Sequence, residues 1–285
     1  MNNIELSTVY LPLLDKVYKQ ASKTAILEGD EATIKRGDNG EIKVAKLDMD
    51  ALGDFDRKSG YTKGSTTFRW ETIRYDKERS QDLRIDRLDN VEALKLPFAK
   101  LSSEFIRTKV VPETDAARIA KIAGITGIST KAETLKTGEN VIAALRVCTN
   151  KMDEDEVDKE NRILFITPTN KGLIDDLDSY KSKDVLSKFS QIIEVPQSRM
   201  YTKIELKDGK TEFGYTKAAD GNEINFLCVE RSAAVVHMEQ FIKYFTPDED
   251  QDGDDNVFKY RNNNLYGHVY ENKLAGVYCS YKTAE

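Results

Sequence analysis

The chain has 285 residues, and its 43 Lys plus Arg against 49 Asp plus Glu leave a formal charge of −6. That balance excludes a strongly basic nucleic-acid binder; three dispersed cysteines, Cys148, Cys228 and Cys279, exclude a disulfide scaffold and read as buried reduced thiols suited to a cytoplasm. Apolar residues at 39% and charged residues at 32% allow one or two compact domains, with extended segments that bury little.

The N-terminus carries no signal peptide, because its apolar stretch Leu11 to Leu14 is short, holds Pro12 and follows no basic region. Residues 1–27 form an amphipathic segment: Val9, Leu13, Val17 and Ala21 recur at helical spacing. Residues 28–40 are polar and turn-rich, so 1–40 is expected to be an arm lying on something else. Residues 41–86 are β-like and exposed. Ile42, Val44 and Leu47 start one strand, and Phe68, Trp70 and Thr72 alternate with polar neighbours in another. Between them Gly53, Gly60 and Gly64 punctuate a charged stretch that cannot bury a core. The expected form is an extended hairpin with a long polar tip, which needs a neighbouring molecule to cover it.

Val91, Leu94, Phe98, Leu101 and Phe105 step by three and four and predict a long helix over about 90–124. Pro97 and Pro112 are expected to start or kink it, and Gly124 to stop it. Residues 137–247 read as a separate α/β unit. A helix begins near Thr137 and includes Val141 to Leu145, among the longest apolar runs and far short of a membrane span. Arg162 to Thr167 is a buried strand, Pro168 opens a helix, and Ile192 to Val195 and Asn225 to Val229 are further strands. A hairpin is expected around Asp208-Gly209, and a short helix at Ser232 to Val236. The tail, 257–282, alternates again, with a break expected at Asn262-Asn263-Asn264. It is expected to pair with strands near 41–49 and 67–86, which makes the α/β unit an insertion.

Familiar enzyme signatures for phosphate loops, dinucleotide folds, zinc proteases, serine hydrolases and redox cysteines are absent. No catalytic residue, metal ligand or cofactor is expected. Asp248, Asp250 and Asp252 followed by Gly253 match the first half of a calcium loop, but Lys259 stands where a bidentate Glu belongs and Pro247 stands before it. A solvated acidic turn is the plainer reading. Arg74, Lys77, Arg79, Arg84 and Arg87 alternate with Asp76, Glu78, Asp82, Asp86 and Asp89, as in a salt-bridged surface or interface. Trp70 is either an intermolecular anchor or a cross-strand aromatic within one chain.

Several segments in order resemble tailed-bacteriophage major capsid proteins. They are Leu52-Gly53-Asp54-Phe55-Asp56-Arg57 with Gly60-Tyr61 and Phe68-Arg69-Trp70-Glu71; Arg84-Ile85-Asp86-Arg87-Leu88-Asp89-Asn90; and Glu104-Phe105-Ile106-Arg107-Thr108-Lys109-Val110-Val111-Pro112-Glu113 with Asp115-Ala116. Asn161 to Pro168, Val195-Pro196 with Ser198 to Thr202, and Glu271-Asn272-Lys273 with Gly276-Val277-Tyr278 continue the match to the end. Ser80 and Glu78 depart from the family's usual Gly and Asp.

The resemblance implies an α+β chain with the Hong Kong 97-type capsid fold. It assigns an N-terminal arm to 1–40, an extended loop to 41–86, a peripheral domain with a spine helix to 87–134 and 246–285, and an inserted axial domain to 135–245. It implies a structural subunit, not an enzyme, assembling with itself into hexamers and pentamers around double-stranded DNA held without sequence-specific contact. A separate scaffolding protein, a portal protein, no membrane, and a virion capsid built in the host cytoplasm go with it. Interface candidates on the loop are Asp54, Arg57, Lys58, Tyr61, Lys63, Arg69 and Trp70, and hinge candidates are Pro97 and Pro112. Some relatives cross-link Lys to Asn with help from a Glu; Lys58 or Lys63, Asn262 to Asn264, and Glu271 supply those residue types. The alternatives are an encapsulin-like cellular shell and, in a different class, a calcium-binding interaction protein.

Overall fold

The computed structural model describes residues 21–29, 34–36, 41–58, 60–86, 102–177, 180–249 and 253–283. In chain order the elements begin with strands β1 (Ile34–Arg36), β2 (Glu41–Met49), β3 (Thr66–Arg74) and β4 (Lys77–Asp86), then helix α1 (Val111–Ala123) and β5 (Ser129–Ala132). Helix α2 (Gly138–Glu154), β6 (Arg162–Ile166), α3 (Pro168–Asp175), α4 (Tyr180–Leu186) and β7 (Gln191–Glu194) follow. The chain then runs through β8 (Ile204–Leu206), β9 (Tyr215–Lys217), β10 (Ile224–Glu230), β11 (Ala234–Phe245), β12 (Asp255–Val269) and β13 (Val277–Tyr281).

The largest sheet has the order β5-β13-β10-β6-β7. Every residue of β6 and β10 is buried, because helices cover both faces. Alternation divides the two strands. Ile163, Phe165, Leu227 and Val229 meet Ile119, Ile122 and Ala123 of α1, while Leu164, Ile166, Phe226 and Cys228 meet Val141, Leu145, Cys148 and Met152 of α2. Each such buried side chain contributes about 1.5–3 kcal/mol by leaving water. The helices start where side-chain oxygens replace missing backbone acceptors: Thr137 accepts from the Asn140 N–H at 3.3 Å and Thr167 from that of Asn170 at 3.4 Å. Pro168 fits the first turn of α3, where no donor is needed.

A second sheet, β11-β12-β4, is antiparallel, and a third, β1-β2-β3, carries the hairpin. Helix α1 bridges the first two sheets. Phe105, Ile106, Val110 and Val111 pack on Phe258 and Tyr260 of β12. At Gly267 a Cβ would stand 2.7 Å from Ile122 Cγ1, so only glycine lets strand and helix approach this closely. The turn before α1, Ile106–Val110, is a π-helix in which the Val111 N–H reaches back to the Ile106 carbonyl. Pro112 follows one residue later. Its ring crowds the carbonyl four residues back and it offers no N–H, and the wider turn accommodates both.

Three sequence expectations are corrected. Ser232 to Val236 is not a helix: a turn at 231–233 leads into the long strand β11, which pairs with β12 from Ala234 to Phe245. Asn262 to Asn264 do not break the tail. They lie inside the fifteen-residue strand β12, paired on both sides, and the ladder overrides their weak strand preference. The tail does not pair with 41–49; β12 pairs with β4 and β13 with β10 and β5. The expected hairpin near Asp208-Gly209 forms, but its strands stop at Leu206 and Tyr215, so the loop is longer than a tight turn. The helical spacing expected at Val9 to Val17 and at Val91 to Leu101 lies outside the described residues, as does Pro97.

Candidate subunit interface

Strands β2 and β3 pair from Glu41↔Arg74 to Met49↔Thr66. Partners across a ladder share a face, so Leu47 with Phe68 and Met49 with Thr66 form a continuous stripe next to Trp70. At the hairpin's base Ile42 is 1% exposed and packs with Ile73 and Tyr75 on Val235 and Leu265. Further out, Leu47 is 51%, Met49 65% and Phe68 59% exposed. Eight large hydrophobic side chains are exposed among the described residues, and six of them, Leu47, Met49, Leu52, Phe55, Tyr61 and Phe68, lie on this hairpin. Such a concentration exceeds ordinary scatter and makes the hairpin a candidate interaction surface.

The tip is ordered by its own hydrogen bonds. The Ser65 N–H donates to Asp50 Oδ2 at 2.7 Å, and the Gly60 N–H donates to the Asp56 carbonyl at 2.7 Å. The Lys58 N–H donates to Asp56 Oδ1 at 3.0 Å, and Thr62 Oγ1 donates to the Asp54 carbonyl at 2.8 Å. Gly60 takes φ +84°, which a side chain would disfavour. Phe55 and Tyr61 meet edge to face with centroids 5.1 Å apart.

Polar contacts fix the hairpin's root and the N-terminal segment to α1. Arg79 of β4 clasps Glu113 in the first turn of α1 with two bonds, 2.7 and 3.1 Å, and donates a third to the Lys207 carbonyl at 2.6 Å. The bidentate bond with Glu113 raises the Arg79 pKa further. Asp115, fully buried, accepts from Ser22 Oγ (2.7 Å), Lys23 N (3.0 Å), Thr24 N (3.2 Å), Thr24 Oγ1 (2.7 Å) and Arg199 Nη1 (3.1 Å). Arg118, also fully buried, donates to Thr24 Oγ1 at 3.3 Å and Glu28 Oε1 at 3.0 Å. One carboxylate and one guanidinium therefore join residues 22–28, α1 and the turn at Arg199.

No family model and no curated protein sequence matches the chain. Solved structures do. A structure from Mycobacterium phage Che8 aligns at TM-score 0.57 and 14% identity, over 90% of this chain and 89% of that one. The mature capsid of bacteriophage PhiM1 aligns at 0.56 and 12%, over 88% and 84%. A virus-like particle from Pyrococcus furiosus aligns at 0.58 and 10%, over 98% and 99%. The likeness runs through nearly the whole length of both partners.

The chain has the Hong Kong 97-type capsid fold.

On this capsid fold the sequence-predicted residues Asp54, Arg57, Lys58, Tyr61, Lys63 and Arg69 are all exposed, and Trp70 is half-buried, 5.6 Å edge to face from Phe68. The tip turn brings Asp54 and Tyr61 together through Thr62 and Phe55; Lys63 and Arg69 lie apart from it. Sequence reasoning chose five charged residues with Tyr61 and Trp70, and passed over Leu47, Met49, Leu52, Phe55 and Phe68 as interface candidates. The signal was present in the i, i+2 spacing of Leu47 and Met49 opposite Phe68. Asp76 and Arg79 were legible only as members of a mixed-charge run.

Two other motifs settle differently. Asp248 and Glu249 fall in a short 3₁₀ turn, where Glu249 Oε2 accepts from Thr246 N and Oγ1, and strand β12 starts at Asp255 where an EF-hand needs a helix. Asp250 and Asp252 lie outside the described residues. Asn262 and Asn264 are 3% and 1% exposed, their amides donating to Tyr260 Oη (3.1 Å) and Asn262 Oδ1 (2.9 Å). Burial holds these two amides away from an incoming lysine.

Proposed function

We propose that this chain is the shell-forming subunit of a tailed-phage capsid, self-assembling into hexamers and pentamers that enclose double-stranded DNA in the virion. The observation that carries the reading is the pairing of a whole-length capsid fold with an apolar hairpin stripe left exposed among the described residues. Laid across an adjacent copy, the stripe gains its missing surface, and each burial is repeated by closed symmetry. Exposed residues at the tip, Asp54, Arg57, Lys58, Tyr61 and Lys63, then form the polar rim of the contact, with Trp70 and Phe68 nearer its centre. Weak mixed-sign pairs at such a rim allow misplaced subunits to leave.

In this reading residues 1–40 are the arm, α1 belongs to the spine, and 135–245 is the axial unit, completed by β5 and β13 at its sheet edge. A separate scaffolding protein and a portal complete assembly in the host cytoplasm. Sedimentation and negative-stain microscopy of the purified chain, with and without the products of its neighbouring reading frames, test it. Closed shells or capsomers are expected; a monomer under every condition overturns it.

A second reading, a cellular shell without a viral genome, draws on the alignment with the Pyrococcus furiosus virus-like particle. The contents of purified particles separate the two: nuclease-protected DNA favours the phage capsid, and a bound cargo protein favours the cellular shell.

A further inference from the structure

Two of the buried thiols meet inside the α/β unit, where α2 lies on the five-stranded sheet. Cys148 and Met152 stand four residues apart on α2, which puts a thiol and a thioether on one helix face. Cys228 of β10 stands opposite them in the same core. The Cys228 thiol donates to Met152 Sδ at 3.4 Å, and the Cys148 thiol donates in turn to Cys228. All three side chains are 0% exposed. The wall around them is apolar, with Leu145, Leu164 and Phe226. Thiolate and thioether sulfurs are soft donors that select soft ions, whereas calcium and magnesium seek oxygen. Cys279 provides an internal contrast: it is equally buried, but on the other face of the sheet, in the core shared with α1.

The charges nearby match an anionic centre. Arg162, the first residue of β6, acts on Cys148 through its positive charge. Its guanidinium is fully buried, and its Nε has no hydrogen-bond partner among the described residues. Asp153 accepts from it at 2.7 Å but also pairs with Lys159 at 3.3 Å and Lys188 at 3.7 Å. Three cations share one carboxylate, so positive charge is left over. Glu133 acts on Cys148 with the opposite sign, and Lys131 offsets it at 2.8 Å. A monovalent ion held by two thiolates carries a single negative charge, which that surplus would balance.

We propose that Cys148, Cys228 and Met152 form a site for a soft monovalent ion, copper(I), buried between α2 and β10. Binding breaks two S–H bonds and forms two copper–thiolate bonds; both protons leave to solvent and no electron is transferred. Met152 Sδ adds a third, neutral donor. Metal–sulfur bonds of about 2.3 Å in a three-coordinate plane set the sulfurs about 4 Å apart, so the trio spreads by roughly half an ångström. The bound ion clamps α2 to the sheet. This site is independent of the hairpin and of the capsid reading.

An ion reaches a buried site as the core opens transiently or as the chain folds. Copper(I) is therefore supplied, without oxygen, from its acetonitrile complex, both to the folded full chain and during its refolding. A chromogenic copper(I) chelator competes. One ion per chain is expected to resist the chelator, with sulfur ligands alone in X-ray absorption and an upward shift of the unfolding midpoint. Cys148→Ser and Cys228→Ser are expected to lose the ion, Met152→Leu to bind it roughly tenfold more weakly, and Cys279→Ser to keep it. Should a serine variant fail to fold, X-ray absorption of the parent decides, and oxygen or nitrogen ligands there overturn the site. No uptake by either route, retention at the parent's level in Cys148→Ser or Cys228→Ser, or loss in Cys279→Ser also overturns it.

Discussion

In β6 and β10 every side chain is buried, whereas in β3 the run from Thr66 to Arg69 is wholly exposed. Both regions use strand-forming apolar residues. The five-stranded sheet completes its core inside one subunit, with helices on both faces. The hairpin packs at its base, through Ile42 and Ile73, and leaves Leu47, Met49 and Phe68 exposed. Stability of the subunit should therefore reside in the sheet, and association in the hairpin.

Substitutions can break that division. Phe165→Ala, in the sheet's fully buried centre, should cost the isolated subunit about 3–5 kcal/mol in denaturant unfolding. A loss below about 1 kcal/mol would mean the core is not the seat of stability. Asp115→Ala should come next, at about 2–4 kcal/mol, because Arg199 loses a buried partner and Ser22, Lys23 and Thr24 lose their acceptor. Hydrogen exchange should rise first over 22–28. Exchange unchanged there would show that Leu27 and the Arg118–Glu28 pair hold the segment without Asp115.

Alkaline pH should act on the five-stranded sheet. Burial pushes the Tyr278 phenol and the Cys279 thiol up to about 12, and it lifts Cys148 well above its usual range. These groups stay neutral in the folded subunit and ionise in the unfolded chain near their ordinary values, 9.0 for Cys and 10.0 for Tyr. Their contribution is thus fully present below pH 9 and is lost as pH rises toward 12. Midpoint temperatures measured from pH 8 upward should fall, and the thiols should resist a disulfide reagent until unfolding. Rapid modification at neutral pH would contradict the burial.

The smallest effect on the subunit should come from Leu52→Ser and Phe68→Ser, within about 0.5 kcal/mol, because both side chains are already in water. The same variants should lose assembly by sedimentation. Assembly at the parent's level would move the interface off the hairpin.

Periodicity and turn chemistry determined much of this molecule on their own. The helix starts near Thr137 and at Pro168, the strands at Arg162 and Asn225, the stop at Gly124 and the hairpin with its long tip follow from local rules, because caps, alternation and glycine backbone freedom act within a few residues. The ordered motifs, read together, carried the capsid resemblance. Long-range pairing decided the rest. Nothing local marks Asn262 to Asn264 as strand; two neighbouring strands make them so. Nothing local sends β13 to β10 or makes Ala234 to Val236 strand rather than helix. The ion pairs of Asp76, Arg79 and Asp115 with distant residues likewise appear only once the chain is folded, because charge pairing depends on which surfaces meet, and residues far apart in sequence supply them.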